Sequence, residues 1–196
     1  AGWTGIFFAG ALVVFFAGSA RYLLPIAAPL ALLVSWVRPR WLAAGFGLQM
    51  ALSLALAVVN YQHWDGYRRF AASLQDDARG RRVWINGEWG LRFYLETGGG
   101  LPLIEGQRVL PGDIVVSSLL AYPVPFTTGG GALTLLRERE IGASLPLRLI
   151  GLDSRSACST ASKGFLPFGV STGPIDRVRA ELVVERKPTL SYLTMD

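Results

Sequence analysis

The sequence is poor in the residues that most often carry chemistry. It has one cysteine, Cys158, and one histidine, His63. A single cysteine excludes an internal disulfide and any zinc site built from cysteines, and it leaves the redox compartment open. Lysine occurs only at Lys163 and Lys187, so nearly all positive charge is arginine. The arginines are scattered. No basic helix face and no reader motif accompany the pI of about 9.8, so no nucleic-acid partner is expected. Internal repeats and heptads are also missing.

The most informative shortage is regional. From Ala1 to Asn60 the only charged residues are Arg21, Arg38 and Arg40, and none is acidic. The other 16 basic and all 14 acidic residues lie beyond Asn60, which leaves that part near +2. Hydrophobic residues make up 51% of the chain and mean hydropathy is +0.37. The composition therefore breaks in the low sixties, into an apolar part and a more ordinary globular part.

Three apolar segments, residues 3–20, 22–37 and 41–60, would extend roughly 27, 24 and 30 Å as helices. A bilayer core is about 30 Å thick. The second segment is short, but Tyr22 and Trp36 extend it into the interfaces. "VRPRW", residues 37–41, reads as a tight cytoplasmic turn with two arginines. That places Arg21 and the globular part on the other side. Arg68, Arg69, Arg81 and Arg82 weigh against this orientation, although large translocated domains escape the charge rule. "NYQHWDGYRRF", residues 60–70, marks the exit from the bilayer, with Tyr61, Trp64, Tyr67 and Phe70 as an aromatic belt. The chain starts in apolar sequence with no methionine, basic n-region or cleavage site, and is read as the C-terminal portion of a longer membrane protein. The expected fold class is a membrane all-α part of three transmembrane helices, followed by a small α/β extracytoplasmic domain. The expected domains are 1–64, with helices at about 3–20, 22–37 and 41–63, and 65–196.

Beyond the apolar part, residues 70–79 continue as a polar helix. "RRVWING" (81–87) predicts a strand and "EWGLRFYLETGGG" (88–100) a helix. In that helix Trp89 and Phe93, with Leu91 and Tyr94, supply the apolar side, and Gly98 suits the C-cap. "LPLI" is a candidate short strand, and "PGDIVVSS" (111–118) a turn leading into a buried strand. Strand, helix, strand in this order predicts a crossover unit. Residues 133–141, 145–152 and 177–186 are further candidate strands. "DSRSACSTASKG" (153–164) reads as an exposed loop.

Few motifs carry chemistry. Arg21, at the extracytoplasmic end of a membrane helix, has the fork geometry to hold an anionic phosphate; snorkelling to ordinary headgroups explains it equally simply. Pro29 cannot donate to the carbonyl of Pro25, so a kink is expected there, beside a cavity or for packing alone. His63 reads as structural. The runs Gly98 to Gly100 and Gly129 to Gly131 lack the P-loop lysine and read as turns. Asp76 and Asp77 point apart on a helix and form no acid–base pair. "TASK" (160–163) replaces the serine of S-x-x-K with threonine and lacks the companion motifs. No metal site, and no cofactor, is expected.

"RYLLPIAAPLALL" (21–33) resembles the Arg-Tyr-Leu-x-Pro segment of GT-C class membrane glycosyltransferases of family 39, akin to dolichyl-phosphate-mannose protein mannosyltransferases and bacterial aminoarabinose transferases. "INGEWGLRFYLETGG" followed by "LPGDIVVSS" resembles the start of the C-terminal extracytoplasmic domain of bacterial members. The resemblance implies part of a multi-spanning enzyme of the bacterial inner membrane. Its partners would be the lipid bilayer, a polyprenyl-phosphate-linked sugar donor and an acceptor glycan, lipid or protein. It implies that Arg21 and Tyr22 lie near the carrier phosphate. In the family the essential acidic residue lies in an N-terminal loop that this chain does not include, so no catalytic residue is expected here and the fragment alone is expected to be inactive. The rival expectation is a non-catalytic, membrane-anchored binding module.

Overall fold

The computed structural model describes residues 38–156 and 168–186, with Gly2, Ile6 and Val34 as isolated positions. Arg21, Tyr22, the expected helices at 3–20 and 22–37 apart from Ile6 and Val34, Cys158 and the "TASK" segment lie outside the described residues.

The first element is a 35-residue helix, α1 (Pro39–Ser73). Proline suits its first position, where the missing N–H is not needed. The helix has two unlike halves. Up to Val58 its large apolar side chains, among them Trp41, Phe46, Leu48 and Leu54, stand exposed, Leu48 by 73%. From Val59 onward a stripe is buried: Val59, His63, Tyr67, Phe70 and, just past the helix end, Leu74. This spacing of three and four is one face of a helix. α1 is long and apolar enough to cross a membrane.

Two expectations are corrected here. The fold class of three transmembrane helices does not hold. Among the described residues there are two helices, only α1 qualifies as a span, and a mixed five-stranded sheet and a second, two-stranded sheet accompany them. An apolar run free of acidic residues meets a length criterion, but it does not weigh the strands that the rest of the chain forms. The polar helix expected at 70–79 also changes: α1 runs unbroken through the sixties, because the stripe keeps its period through the polar residues, and stops at Ser73, with turns over 74–80. Tyr67 and Phe70, expected in an interfacial belt, are buried.

The chain divides into two compact units, Ala1–Asp65 with Ile141–Asp176, and Gly66–Glu140 with Arg177–Asp196. The second unit holds the large sheet. Its strands are β1 (Val83–Asn86), β2 (Leu101–Pro102), β3 (Ile114–Ser118), β4 (Ala132–Ile141) and β7 (Asp176–Val184), in the order β2-β1-β3-β7-β4. β1 is parallel to both β2 and β3, and β3 is antiparallel to β7. Helix α2 (Trp89–Glu96) makes the crossover from β1 to β2, as the strand–helix–strand pattern predicts. Ile114, Val115 and Val116 are all buried, as a strand covered on both faces requires. Val115 and Val183 pack with Leu103 and Val109, and Trp84, Val124 and Phe126 lie against them. Pro102 is tolerated because β2 is an edge strand.

Three details of the sequence reading change. The buried face of α2 is Gly90, Leu91 and Leu95, while Phe93 is 62% exposed. The left-handed residue after α2 is Gly99 (φ 87), not Gly98. Residues 182–184 are not uniformly buried, since β7 alternates and only Val183 of the three is in the core.

In the first unit, β5 (Leu147–Arg148) pairs antiparallel with β6 (Gly169–Val170). Arg148 is buried. Its Nη1 donates to the carbonyls of Leu145 and Leu147 and its Nη2 to that of Gly173. Burial lowers its pKa, partly opposed by Asp153, because the charged form loses water. Three carbonyl acceptors offset that cost and tie 145–148 to residue 173.

Candidate functional site

β1 and β3 lie side by side and parallel, with Val83 opposite Ile114 and Asn86 opposite Ser117. The chain leaves them in opposite directions. After β1 it passes through α2 to β2 on one flank. After β3 it goes to β4 at the far edge of the sheet. Open α/β sheets hold ligands where such a reversal leaves a crevice at the strands' C-terminal ends; here Gly87, Ser118, Leu120 and Ala121 fill that place and are buried.

Two short segments form the rim, residues 86–89 and 118–124. They are tied together. Asn86 is buried and its side chain acts as a strand partner: Nδ2 donates to the carbonyl of Val124 (3.1 Å), and Oδ1 accepts from the amide of Val124 (2.7 Å). The amide of Glu88 donates to the carbonyl of Ala121 (2.9 Å). The hydroxyl of Ser118 accepts from the amides of Leu120 and Ala121. Gly87 packs closely, since a Cβ there would lie 3.3 Å from that of Ser118.

The ties hold two aromatic residues in the left-handed backbone region, Trp89 (φ 60) and Tyr122 (φ 52). Bulky residues pay for that conformation, and it persists only where surrounding contacts enforce it. The two rings meet edge to face, with centroids 5.3 Å apart and planes at 76°. Tyr122 is 40% exposed. The result is an edge-to-face aromatic corner beyond the C-terminal ends of β1 and β3.

Beside the corner, α2 carries a ladder of charge. Arg92 Nη1 donates to both oxygens of Glu88 (3.1 Å each), and its Nε donates to Glu96 (2.8 Å). The bond to Glu96, then that to Glu88, raises the pKa of Arg92 above the ordinary arginine value. Glu88 occupies the N-cap position without a side-chain cap bond, so its carboxylate serves Arg92 instead.

Elsewhere in the same unit, a cleft of about 530 Å³ is lined by Arg68, Gln75, Arg79, Tyr94, Thr97 and Gly98 among others. Its cations are engaged, Arg79 pairing with Asp76 at 3.1 Å and Arg68 also holding an interaction.

The sequence-derived candidates do not meet at the corner. Arg21 and Tyr22 lie outside the described residues. His63 is buried within α1 and stacks on Trp64 at 5.3 Å. Asp76 pairs with Arg79 and Asp77 with Arg137, as solvated helix-end charges do. Among the described residues no group of three or more His, Cys, Asp or Glu is placed to hold a metal ion. The sequence pattern places Trp89 on an apolar helix side, and no local signal marks Tyr122. Their joint role depends on a parallel pairing that no local window shows. Comparison of the chain with family models, with curated proteins and with solved structures gives no match.

Proposed function

We propose that the chain is the C-terminal part of an integral membrane glycosyltransferase, which moves a sugar from a polyprenyl-phosphate carrier to an extracytoplasmic acceptor. The observation that carries this reading is α1, whose first half exposes most of its large apolar side chains and whose second half leads toward the sheet-bearing residues. The resemblance of 21–33 and of 85–118 to the GT-C class supplies the chemistry. On this reading the protein belongs to a bacterial inner membrane, the whole enzyme is multi-pass, and the sheet lies outside the cytoplasm. Arg21, with Tyr22 beside it, offsets the negative charge that grows on the departing phosphate. The acidic residue of the reaction belongs to a part of the enzyme that this chain lacks, so the fragment alone is inactive.

The test is Arg21→Ala in the intact enzyme, assayed with a polyprenyl-phosphate sugar in native membranes. Sugar transfer is expected to fall by roughly a hundredfold or more, the scale of one lost charge-stabilising group, with normal membrane insertion. Unchanged transfer would remove Arg21 from the site. A second reading, a membrane-anchored binding module without catalysis, is favoured by the partly exposed aromatic corner. An intact protein that binds a ligand there and transfers nothing would support it.

A further inference from the structure

We propose that the cleft between the end of α1 and the end of α2 binds an organic anion, an apolar body that carries one phosphate or carboxylate group. Its volume is about 530 Å³, within the range of small-molecule sites. All of its lining belongs to the sheet-bearing unit, and the proposal does not rest on the transfer reading.

The room comes from small residues. Arg68, Ala71 and Ala72, spaced by three and four, form one face of α1 beside its buried stripe. Ala78 continues this wall, and Gly98 and Gly100 belong to the α2 side. Leu74, Val83 and Leu95 add apolar surface. The charge on the lining has one sign, since it includes Arg68 and Arg79 and no carboxylate. Between residues 66 and 82 five arginines stand against two aspartates. Arg137 takes up Asp77 and Asp113 takes up Arg82, so the surplus persists. The last carbonyls of a helix can instead attract a cation. Those of α2 are already served. Phe93 accepts from the amide of Thr97, Tyr94 from its hydroxyl, Leu95 from the amides of Gly98 and Gly100, and Glu96 from the amide of Gly99. A cation would meet no carboxylate and no unserved carbonyl of α2. The arginines remain able to take an anion. The pair of Arg79 with Asp76 is exposed at both ends, by 83% and 84%, and such pairs are weak. A guanidinium has five N–H donors, so the partner that Arg68 holds does not close it to a second. The apolar walls favour a ligand with a body, because burying them adds binding that inorganic phosphate does not supply.

The experiment uses the full chain in phosphatidylcholine nanodiscs, with alanine methyls labelled for NMR. The probe is octyl phosphate. It is expected to shift the methyls of Ala71, Ala72 and Ala78 in a saturable way. Inorganic phosphate, octanol and octyltrimethylammonium are each expected to bind roughly tenfold more weakly or worse. Arg68→Gln combined with Arg79→Gln, two exposed changes, is expected to weaken octyl phosphate roughly tenfold or more, the scale of a lost charge-assisted hydrogen bond. Ala71→Leu, which fills the cleft with a good helix former, is the second variant and is expected to weaken it as much. Arg69→Gln, on the same helix but outside the lining, is expected to leave binding unchanged. Nanodiscs that include phosphatidic acid separate two sources of the ligand. Methyl shifts there without octyl phosphate make a membrane lipid the source, and shifts with octyl phosphate alone make it a free ester. The proposal is overturned if octyl phosphate leaves the three methyls unmoved, if octanol or octyltrimethylammonium moves them at the same concentration, or if the double variant or Ala71→Leu binds as tightly as the parent. Sugar transfer plays no part in this readout. Failure here leaves the glycosyltransferase reading standing, and absence of transfer leaves the cleft standing.

Discussion

Asp113 shows how much one buried carboxylate can organise. It sits in the turn before β3, almost wholly buried, and every oxygen is used. Oδ1 accepts from Arg82 Nε (3.0 Å), while Oδ2 accepts from Trp84 Nε1 and from the amide of Leu110 (2.9 Å each). Its backbone carbonyl accepts from the amide of Val183. One residue thus joins the start of β1, the turn at Gly112 (φ 93) and strand β7. Asp113→Ala leaves the half-buried indole N–H of Trp84 and the amide of Leu110 without their acceptor. A buried orphan costs about 1–3 kcal/mol and a part-exposed one less, so the sheet-bearing unit is expected to lose about 2 kcal/mol. Asp113→Asn keeps one acceptor oxygen and is expected to cost about half as much. Amide hydrogen exchange at 83–86 and 114–118 checks both. The "PGD" turn was legible in the sequence. The work of its carboxylate was not, because Arg82 and Trp84 lie 31 and 29 residues away along the chain.

Helix α1 makes the same point one level up. Its apolar first half was plain from composition. The continuation of the helix was legible too, but its burial was not, because composition reads Tyr67 and Phe70 as interfacial, whereas the buried stripe from Val59 to Leu74 depends only on period. The two halves predict opposite sensitivities. Leu48→Asp sets a charge on the exposed apolar half, where a bilayer would charge about 2.5–3.5 kcal/mol for it. Resistance to alkaline carbonate extraction is expected to fall. Phe70→Ala is expected to leave extraction unchanged and to lower thermal stability by about 3–5 kcal/mol, the usual loss for a buried phenyl ring. If Leu48→Asp stays in the pellet as firmly as the parent, lipid is not the medium around that half. The strands were read more faithfully than the helix, because short apolar runs between turn residues mark them. Of the expected 145–152, Leu147 and Arg148 form β5 and Ile150 makes an isolated bridge.

At the scale of the whole molecule, the chain weaves between its two units. β4 and β7 are neighbours in the large sheet, yet 141–176 groups with the first unit. Arg177 pairs with Glu140 and Arg179 with Glu138, one number rising as the other falls, which is the order of antiparallel strands. These pairs are exposed, and each adds little to stability. What matters is the geometry they report: Glu140 and Arg177 stand side by side at the two ends of the excursion. Joining them by an Asn-Gly turn in place of 141–176 is expected to leave the sheet folded, since that dipeptide closes a two-residue hairpin. Hydrogen exchange at β1 and β3 would read this, and loss of protection there would show that the excursion supports the sheet. No stretch of sequence announces such an arrangement. It follows from which strands become neighbours.

That adjacency carries a consequence for chain length. Loop closure grows only logarithmically, so doubling the span between β4 and β7 adds about 0.6 kcal/mol. The rungs between these strands bear nearly the whole entropic burden once, whatever hangs from them. The sheet is in effect a clasp, and the stretch it holds shut is free to grow or shrink without the register being renegotiated.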